Sequence, residues 1–372
     1  MTEPRALVYL DHAATSPMRP EAVAAMLPHL GEHYGNPSGA HAMARAARVA
    51  IEDARDAMAA ALGCDAGEIV FTGGGTEADN LAVAGVRSGR RVCSAIEHHA
   101  VLHSVEHFGD ATFGVTPDGV ADLADLERHL DGDVALVSLM LANNETGVVQ
   151  PVADAAARVG ALAPAAVVHC DAVAAFTWLD VATLAADAGL VSVSAHKFGG
   201  PKGVGALVVR DGVKLEPISR GGGQERERRS GTHNVAGIVA MAAAASAAVR
   251  EREALVARTT RWRDELVSAL PDVVVTAPDV PHTAGTLHVQ VADVESEALV
   301  IALDDMGVCA SAGSACASGA LEPSHVLAAM GVDPTMARGA LRLSMGWSTT
   351  DRDIEQAVVA LPKAIEMLRS RS

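Results

Sequence analysis

Short, continuously apolar segments alternate with helical stretches along much of this chain, and that alternation limits its fold more than any other feature. Polar residues or glycines follow four of these segments: Gly73-Gly74-Gly75 after 68–71, Asn143-Asn144 after 134–140, Asp171 after 167–169, and His196-Lys197 after 191–193. Continuous apolar strands separated by helices are typical of a mostly parallel sheet buried between helices. Ligands of such sheets bind beyond the carboxyl ends of the strands, so the pattern predicts one shared site at that edge.

The pattern changes after about residue 255. Strands are predicted at 273–275, 285–291 and 340–344, among helices at about 296–305, 324–330 and 352–369. The segment before Asp11 is expected to return to this part of the chain. We therefore predict an α/β fold with a large domain over residues 12–255 and a smaller α/β domain made of residues 1–11 and 256–372.

Composition excludes several classes of protein. The chain has 372 residues, 49% of them hydrophobic, which is enough for more than one core. Its net charge of −17 argues against direct binding to nucleic acid or to an anionic membrane. No signal peptide is recognised, and the longest apolar run, 235–249, is too short to cross a membrane and is predicted to be a buried helix.

The cysteines indicate a reducing compartment. They are scattered without a CxxC pair, which argues against a disulfide framework or a zinc site and for a cytoplasmic protein without a metal. The five are Cys64, Cys93, Cys170, Cys309 and Cys316.

Among the four lysines, only Lys197 lies at the mouth of a predicted strand; the others are Lys202, Lys214 and Lys363. An enzyme that uses pyridoxal phosphate (PLP) needs a lysine there to form a Schiff base and to move a proton at the substrate Cα. A surface lysine at a strand end is an equally good interpretation of this local pattern.

Two further features have both a functional and a plain interpretation. The glycine turn before Thr76 can bring a helix N-terminus to a phosphate, or it can be an ordinary strand-to-helix turn. Asp171 can keep a pyridine nitrogen protonated, or it can cap a helix. Their order favours a cofactor site, because the glycine turn, Asp171 and Lys197 follow successive strands, with Asp171 and Lys197 26 residues apart.

Ten motifs then follow one another along nearly the whole chain. They are YLDHAAT at 9–15, GNPS at 35–38, TEADN at 76–80, EHHAV at 97–101, NNETG at 143–147, HKFGGPKG at 196–203, GGGQER at 221–226, RSGT at 229–232, GSAC at 313–316 and LEPSHVL at 321–327. With these motifs the chain resembles the class V aminotransferase family of fold-type I PLP enzymes, and within it the group I cysteine desulfurases. The resemblance implies a large domain built on a mostly parallel seven-stranded sheet.

The resemblance also implies residue roles, with PLP as the cofactor. Catalysis is assigned to Cys316, Lys197 and His98, although the sequence alone does not separate His98 from His99. Cofactor contacts are implied for Lys197, Gly75, Thr76, His98, Asn144, Asp171, Ser194 and His196, and for Thr232, which would reach the phosphate bound to a neighbouring subunit and so implies a homodimer. Substrate contacts are implied for Arg342, as a clamp on the carboxylate, and for Asn144 and Asn36.

The implied reaction removes sulfur from L-cysteine, gives L-alanine and leaves a persulfide on Cys316. A sulfur-acceptor protein would then take the sulfur for iron–sulfur cluster assembly, or for thio-modification of nucleic acid or cofactors. Small residues surround Cys316 from 311 to 318, as expected of an accessible thiol in a flexible loop. The other four thiols lie in or beside apolar runs, where buried inert cysteines are usual.

Two departures from the family pattern carry expectations. Ala174 stands where the family has a glutamine that hydrogen-bonds the cofactor, so altered absorbance or pH behaviour is expected, with activity retained. The sequence ends at Ser372, without the longer tail that helps other members dock a cluster scaffold, which argues against that partnership and leaves a dedicated acceptor as an alternative.

Several alternatives stay open at this point. The same fold could serve a selenocysteine lyase, a cysteine-sulfinate-type lyase or an aminotransferase, although an aminotransferase would not need Cys316. A non-catalytic scaffold or regulator is disfavoured, because Lys197, Asp171 and Cys316 are all present.

Overall fold

The structure is a computed structural model that describes residues 7–109, 111–270, 272–313 and 324–370. The strands are β1 (Val8–Tyr9), β2 (Ile69–Thr72), β3 (Arg90–Ser94), β4 (Ala111–Phe113), β5 (Val134–Ser138), β6 (Val167–Asp171), β7 (Leu190–Ser194), β8 (Gly205–Val209), β9 (Val273–Val275), β10 (Thr286–Val291), β11 (Val308–Cys309) and β12 (Ala340–Ser344). The helices are α1 (Pro20–Leu30), α2 (Ala42–Leu62), α3 (Gly75–Gly85), α4 (His99–His107), α5 (Leu123–His129), α6 (Val152–Leu162), α7 (Val181–Leu184), α8 (Val235–Ser268), α9 (Ser296–Asp305), α10 (His325–Ala329), α11 (Pro334–Ala337) and α12 (Asp351–Arg369), with short 3₁₀ turns at Ala66–Glu68, Ala195–Lys197 and Glu225–Glu227.

The large sheet has the strand order β2-β8-β7-β6-β5-β3-β4. Only β8 runs antiparallel to its neighbours; the other pairs are parallel. The central strands β5, β7 and β8 are buried along their whole length, as expected when helices cover both faces of a sheet. The prediction of a mostly parallel seven-stranded sheet is therefore confirmed.

One predicted strand ends earlier than its apolar run. β5 was expected to continue to residue 140 but stops at Ser138. The next amides alternate between two partners: Leu139 and Leu141 donate to β6, whereas Met140 donates to the Glu97 side chain at 2.5 Å. At Met140 the buried carboxyl of Glu97 thus replaces a hydrogen bond to a neighbouring strand, and the chain turns toward Asn143 and Asn144.

The predicted helix positions agree with the structure better than the predicted helix lengths do. α2 begins after His41, whose side chain accepts a hydrogen bond from the Ala44 amide, and ends at Gly63 in the left-handed conformation at φ 62°. The apolar run 235–249 is a buried helix, as predicted, but α8 continues to Ser268 and packs against α1 and α2. Within the described ranges no helix is both long and apolar enough to cross a bilayer.

A second core lies beside the sheet. β12, β10 and β9 form an antiparallel sheet, and β1 pairs with β11 in parallel. Val8 and Leu10 from the N-terminal segment are buried in the same cluster as Leu287, Leu341 and Leu361. The limits 12–255 and 256–372 stay a prediction, since α8 passes residue 255 without a break.

Candidate active site

A cavity of about 340 Å³ lies at the carboxyl edge of the large sheet, where the second core meets it. Eight residues of the predicted cofactor set line it: Gly75, Thr76, His98, Asn144, Asp171, Ser194, His196 and Lys197. Arg342, from β12, closes another side of the cavity. Gly75 and Lys197, 122 positions apart in sequence, share this edge because parallel strands end at the same side of a sheet. Arg342, 267 positions after Gly75, reaches the same cavity from the second core.

Lys197 is the lysine of this cavity. It ends the 3₁₀ turn that follows β7, and its Nζ donates to the carbonyl of Ala13 at 2.5 Å. Lys202, Lys214 and Lys363 are exposed and do not line the cavity. The geometry thus separates Lys197 from the other lysines.

The glycine turn forms a cradle for an anion. α3 begins at Gly75, after Gly74 at φ 150°, and a Cβ at Gly75 would come within 2.9 Å of Val173 and 3.3 Å of Ser194. The helix N-terminus therefore lies close against β7, with its free amides at the cavity. The hydroxyls of Thr76 and Ser194 and the ring of His196 line the same space. This donor set fits a phosphate.

His196 is positioned as a neutral donor. Its Nδ1 is 3.2 Å from the Thr15 hydroxyl. Burial, followed by the nearby cations Lys197 and Lys202, lowers the pKa of His196 to about 4. A neutral ring can bind phosphate as a hydrogen-bond donor without adding charge.

Asp171 ends β6 and is only 5% exposed. Its Oδ1 accepts the Val173 amide at 2.8 Å. Burial raises the pKa of Asp171 to about 6, while the Val173 amide and Lys197 act in the opposite direction. At neutral pH an ionised Asp171 faces the cavity, which fits a protonated pyridine nitrogen. Together with the phosphate cradle and Lys197, this donor set fits PLP.

The structure distinguishes the two adjacent histidines by their neighbours. His98 caps α4, and its Nδ1 accepts the Ala100 amide at 3.1 Å. Burial, then Lys197, lowers the pKa of His98 to about 4, so its ring is neutral. His99 also lines the cavity but stacks on His103, with ring centroids 4.8 Å apart. His98 therefore has the closer electrostatic link to Lys197.

Arg342 is 2% exposed and held from two sides. Its Nη2 donates to Asp11 Oδ1 and its Nη1 to the Asn144 carbonyl, both at 2.9 Å. Its buried Nε has no hydrogen-bond partner among the described residues. The guanidinium is thus fixed in orientation and keeps an unpaired donor, which suits recognition of a carboxylate. Sequence reasoning missed Asp11 as its partner, although the YLDHAAT motif contained the residue.

Two predicted residues do not line the cavity of this single chain. Asn36 and Thr232 are exposed on the surface. Cys316 lies outside the described residues. Ser311, on the near side of that segment, pairs with Arg342, and Ser324, on the far side, donates to Glu145 at 2.5 Å.

Two buried carboxyls of the cavity wall were also missed, Asp79 and Glu145. Burial raises the pKa of Glu145 to about 7, against the hydrogen bond from Ser324 and the charge of Arg342. Both residues belong to motifs, TEADN and NNETG, so their position in sequence was visible while their burial was not.

Ala174 lines the cavity too and offers only a methyl group there. No cluster of three or more potential metal ligands occurs in the described part of the chain.

Comparisons with known proteins agree with this geometry. The family described as "Aminotransferase class-V" matches residues 8–357. The chain is 40% identical to "Cysteine desulfurase IscS" of Dictyoglomus turgidum, over 98% of this chain and 96% of that protein. It is 43% identical to "IscS-like cysteine desulfurase" of Mycobacterium tuberculosis, over 98% and 97%. A solved structure titled "NIFS-LIKE PROTEIN" matches with a TM-score of 0.89 and 34% identity, covering 97% of this chain and 99% of that one.

Proposed function

Because the chain belongs to the aminotransferase class-V family and is a group I cysteine desulfurase, we propose that it transfers sulfur from L-cysteine to its own Cys316 and releases L-alanine. The observation that carries this proposal is the convergence of Lys197, Asp171, the phosphate cradle and Arg342 on one cavity. None of the other three lysines, all of them in the described residues, lies among such partners. The persulfide on Cys316 would then pass to a sulfur-acceptor protein.

PLP, when bound, would supply an electron sink for the charge left at the substrate Cα. Gly75, Thr76, Ser194 and His196 would hold its phosphate, and Asp171 its ring nitrogen. Lys197 would hold it covalently and, once released, would take the proton from the substrate Cα. These roles use the charges found here: a neutral His196 and an ionised Asp171 at neutral pH.

Substrate orientation would fall to Arg342 and Asn144. The Arg342 guanidinium is already fixed by Asp11 and by the Asn144 carbonyl, so a carboxylate meets a preorganised donor. His98, neutral and beside Lys197, would stack on the cofactor ring and move a proton as product forms. Asn36 stays a proposed substrate contact.

The four thiols among the described residues support Cys316 as the nucleophile, because the pKa of each of them is raised. Burial raises the pKa of Cys93 and of Cys170 well above the ordinary thiol value, and that of Cys64 to about 11. The pKa of Cys309 is raised as well, by burial and then by Asp304 and Asp11. Because the thiolate is the reactive form, these four thiols are poor nucleophiles at neutral pH.

We further propose a homodimer and a cytoplasmic location. Thr232 is exposed in the loop that precedes α8 and does not line its own chain's cavity, which suits a residue that reaches a neighbouring subunit. The described cysteines Cys64, Cys93, Cys170 and Cys309 are all free thiols, as expected in a reducing compartment. The acceptor would serve iron–sulfur cluster assembly or thio-modification.

The test is release of L-alanine and sulfide from L-cysteine in the presence of a thiol reductant. Wild type should release both in equal amounts, Cys316→Ala should release neither while keeping bound PLP, and Cys309→Ala is the matched control that should stay active. Lys197→Ala should lose the absorbance band that covalent attachment gives the cofactor. Turnover by the Cys316→Ala variant would overturn the nucleophile assignment, and a PLP-loaded wild type that forms no alanine would overturn the proposed reaction.

A further inference from the structure

A row of buried polar side chains crosses the large sheet beside the cavity, and the proposed reaction assigns none of them a role. The row consists of Asp79 on α3, Ser192 on β7, His169 on β6, Ser138 on β5 and Glu97 after β3, which we call the Asp79–Glu97 row. Each member is at most 1% exposed. Asp79 also lines the cavity, and His169 lies two residues before Asp171 on the same strand.

His169 is the centre of the row. Its Nδ1 lies 2.8 Å from the Ser138 hydroxyl and its Nε2 lies 2.9 Å from the Ser192 hydroxyl. Complete burial lowers the pKa of His169 to about 3, so the ring is neutral and carries a single N–H. One serine therefore donates to the ring, and the other accepts from it.

Each serine also hydrogen-bonds the carboxyl beyond it, Ser192 with Asp79 and Ser138 with Glu97, and this hydrogen bond acts against burial on the pKa of that carboxyl. The serine that donates to His169 has used its only proton, so toward its carboxyl it can only accept. That carboxyl can join the row only as a protonated acid. Whichever tautomer His169 adopts, the carboxyl at one end of the row is hydrogen-bonded by its serine only if that carboxyl carries a proton.

Unsatisfied oxygens extend this conclusion to both ends. Asp79 Oδ1 and Glu97 Oε2 are buried and accept no hydrogen bond from the described residues; Asp79 Oδ1 is 3.6 Å from His169 Nε2, beyond hydrogen-bonding distance. A buried carboxylate with an unpaired oxygen is strongly disfavoured relative to the neutral acid. Glu97 accepts the Met140 amide through its other oxygen, Oε1, and Asp171 accepts the Val173 amide, but of the three carboxyls Asp171 is the one that also interacts with the Lys197 cation.

The surrounding charges act in the same direction. The titratable groups that face the row are Asp171 and Cys170 from β6 and Cys93 from β3, with Lys197 beyond Asp171. Burial, and then the charge of Asp171, raises the pKa of both Asp79 and Glu97 well above the usual carboxyl range. Burial likewise keeps Cys170 protonated, so it adds no charge. Three neighbouring buried carboxyls cannot all ionise.

We propose that Asp79 and Glu97 are positioning residues that keep their protons at neutral pH, so that the single negative charge of the three carboxyls stays on Asp171. The protonation claim concerns the protein's own side chains. Its consequence for catalysis, a carboxylate of fixed charge beside a pyridine nitrogen, rests on the proposed PLP site.

Infrared spectroscopy of the full chain at pH 8, with and without PLP, tests this directly. Exposed carboxyls are ionised at that pH, so the carbonyl stretching band of protonated acids reports buried ones. Wild type should show the band, and Asp79→Asn and Glu97→Gln should each remove part of it. Glu145→Gln is the matched control, since the pKa of Glu145, about 7, leaves it mostly ionised. Absence of the band in wild type, or its persistence unchanged in both variants, would overturn the proposal.

A second measurement leaves Asp79 and Glu97 unchanged, so it stays informative even if the Asp79→Asn and Glu97→Gln variants misfold. Asp171→Asn removes the charge that opposes ionisation of Asp79 and Glu97, so the band should disappear at a pH lower by about one unit or more. A purely structural role for the row would leave that midpoint in place, and an unchanged midpoint contradicts the proposal. Neither measurement requires turnover, so failure of the desulfurase assignment would be seen separately.

Discussion

In two buried carboxyl sites of this molecule the pKa is shifted in opposite directions, for reasons that burial alone does not explain. Glu225 is 5% exposed, as is Asp171. Glu225 accepts hydrogen bonds from both terminal nitrogens of Arg55, from the Phe71 amide and from His233, at 2.8–2.9 Å. Those donors overcome burial and lower the pKa of Glu225 to about 2, whereas burial raises that of Asp171 to about 6. The number of donors, not the depth of burial, decides the direction of the pKa shift.

The difference matches the role of each region. The hydrogen bonds of Glu225 stabilise a strained loop, in which Glu225, Arg226 and Glu227 all have positive φ, at 49°, 56° and 65°. This conformation costs free energy in non-glycine residues. The loop thus held leads to Thr232, the residue proposed to reach a neighbouring subunit. The Asp171 site is left short of donors, as expected where a ligand completes the set. Substitutions at the two sites should therefore have opposite effects on stability.

The largest effect is expected from Arg55→Met. It leaves Glu225 as a buried carboxylate without its main partner, which typically costs about 3–5 kcal/mol. Urea unfolding of the cofactor-free protein measures the loss. Glu52→Gln, which removes the exposed partner of Arg55, is the control and should change the unfolding free energy by less than about 1 kcal/mol. A loss below that of the control would show that Glu225 is held by its other donors.

Acid should remove the contribution of Glu225. Its folded pKa of about 2 lies below the unfolded value, so its contribution is present above about pH 4.5 and is lost as pH falls toward 2. The shift corresponds to about 3 kcal/mol at neutral pH. Glu225→Gln should be less stable than wild type at pH 7, with the gap narrowing toward pH 2. A gap of constant size across that range would contradict the ionic account.

The Asp171 site should behave in the opposite way. Its folded pKa of about 6 lies above the unfolded value, so it costs stability that grows from about pH 4 to pH 6 and then stays constant. Cofactor-free Asp171→Asn should therefore be more stable than wild type at pH 8, by about 3 kcal/mol, and equal to it near pH 4. Thermal unfolding at the two pH values checks this. A less stable variant at pH 8 would mean that Asp171 is already paired.

The smallest effect is expected from Ala174→Gln. The added amide would give the cavity a hydrogen-bond donor beside Asp171. The number of donors at the Asp171 site would then be slightly closer to that at the Glu225 site. Absorbance of bound PLP and its pH dependence should change, while desulfurase activity persists. A spectrum and pH profile identical to wild type would show that this position does not affect the cofactor.

Much of the site followed from strand order. Lys197, Asp171 and the Gly73–Gly75 turn were expected at one edge because each follows an apolar strand, and the structure brings them together. Arg342 required the family resemblance, since it lies on β12, outside the large sheet. The end of β5 at Ser138 was not predictable, because a side chain from another strand end, Glu97, takes the Met140 amide.

The sequence by itself determined which strand-end residues of the large sheet meet, because the alternation of apolar strands and helices indicates a parallel sheet and hence a common edge for its polar residues. Only the tertiary structure decided their charge and orientation. Arg342 is aimed by Asp11, 331 positions earlier, and Glu225 is ionised by Arg55, 170 positions earlier. A pKa depends on the burial and donors around one carboxyl, and those come from residues that become neighbours only in the folded chain.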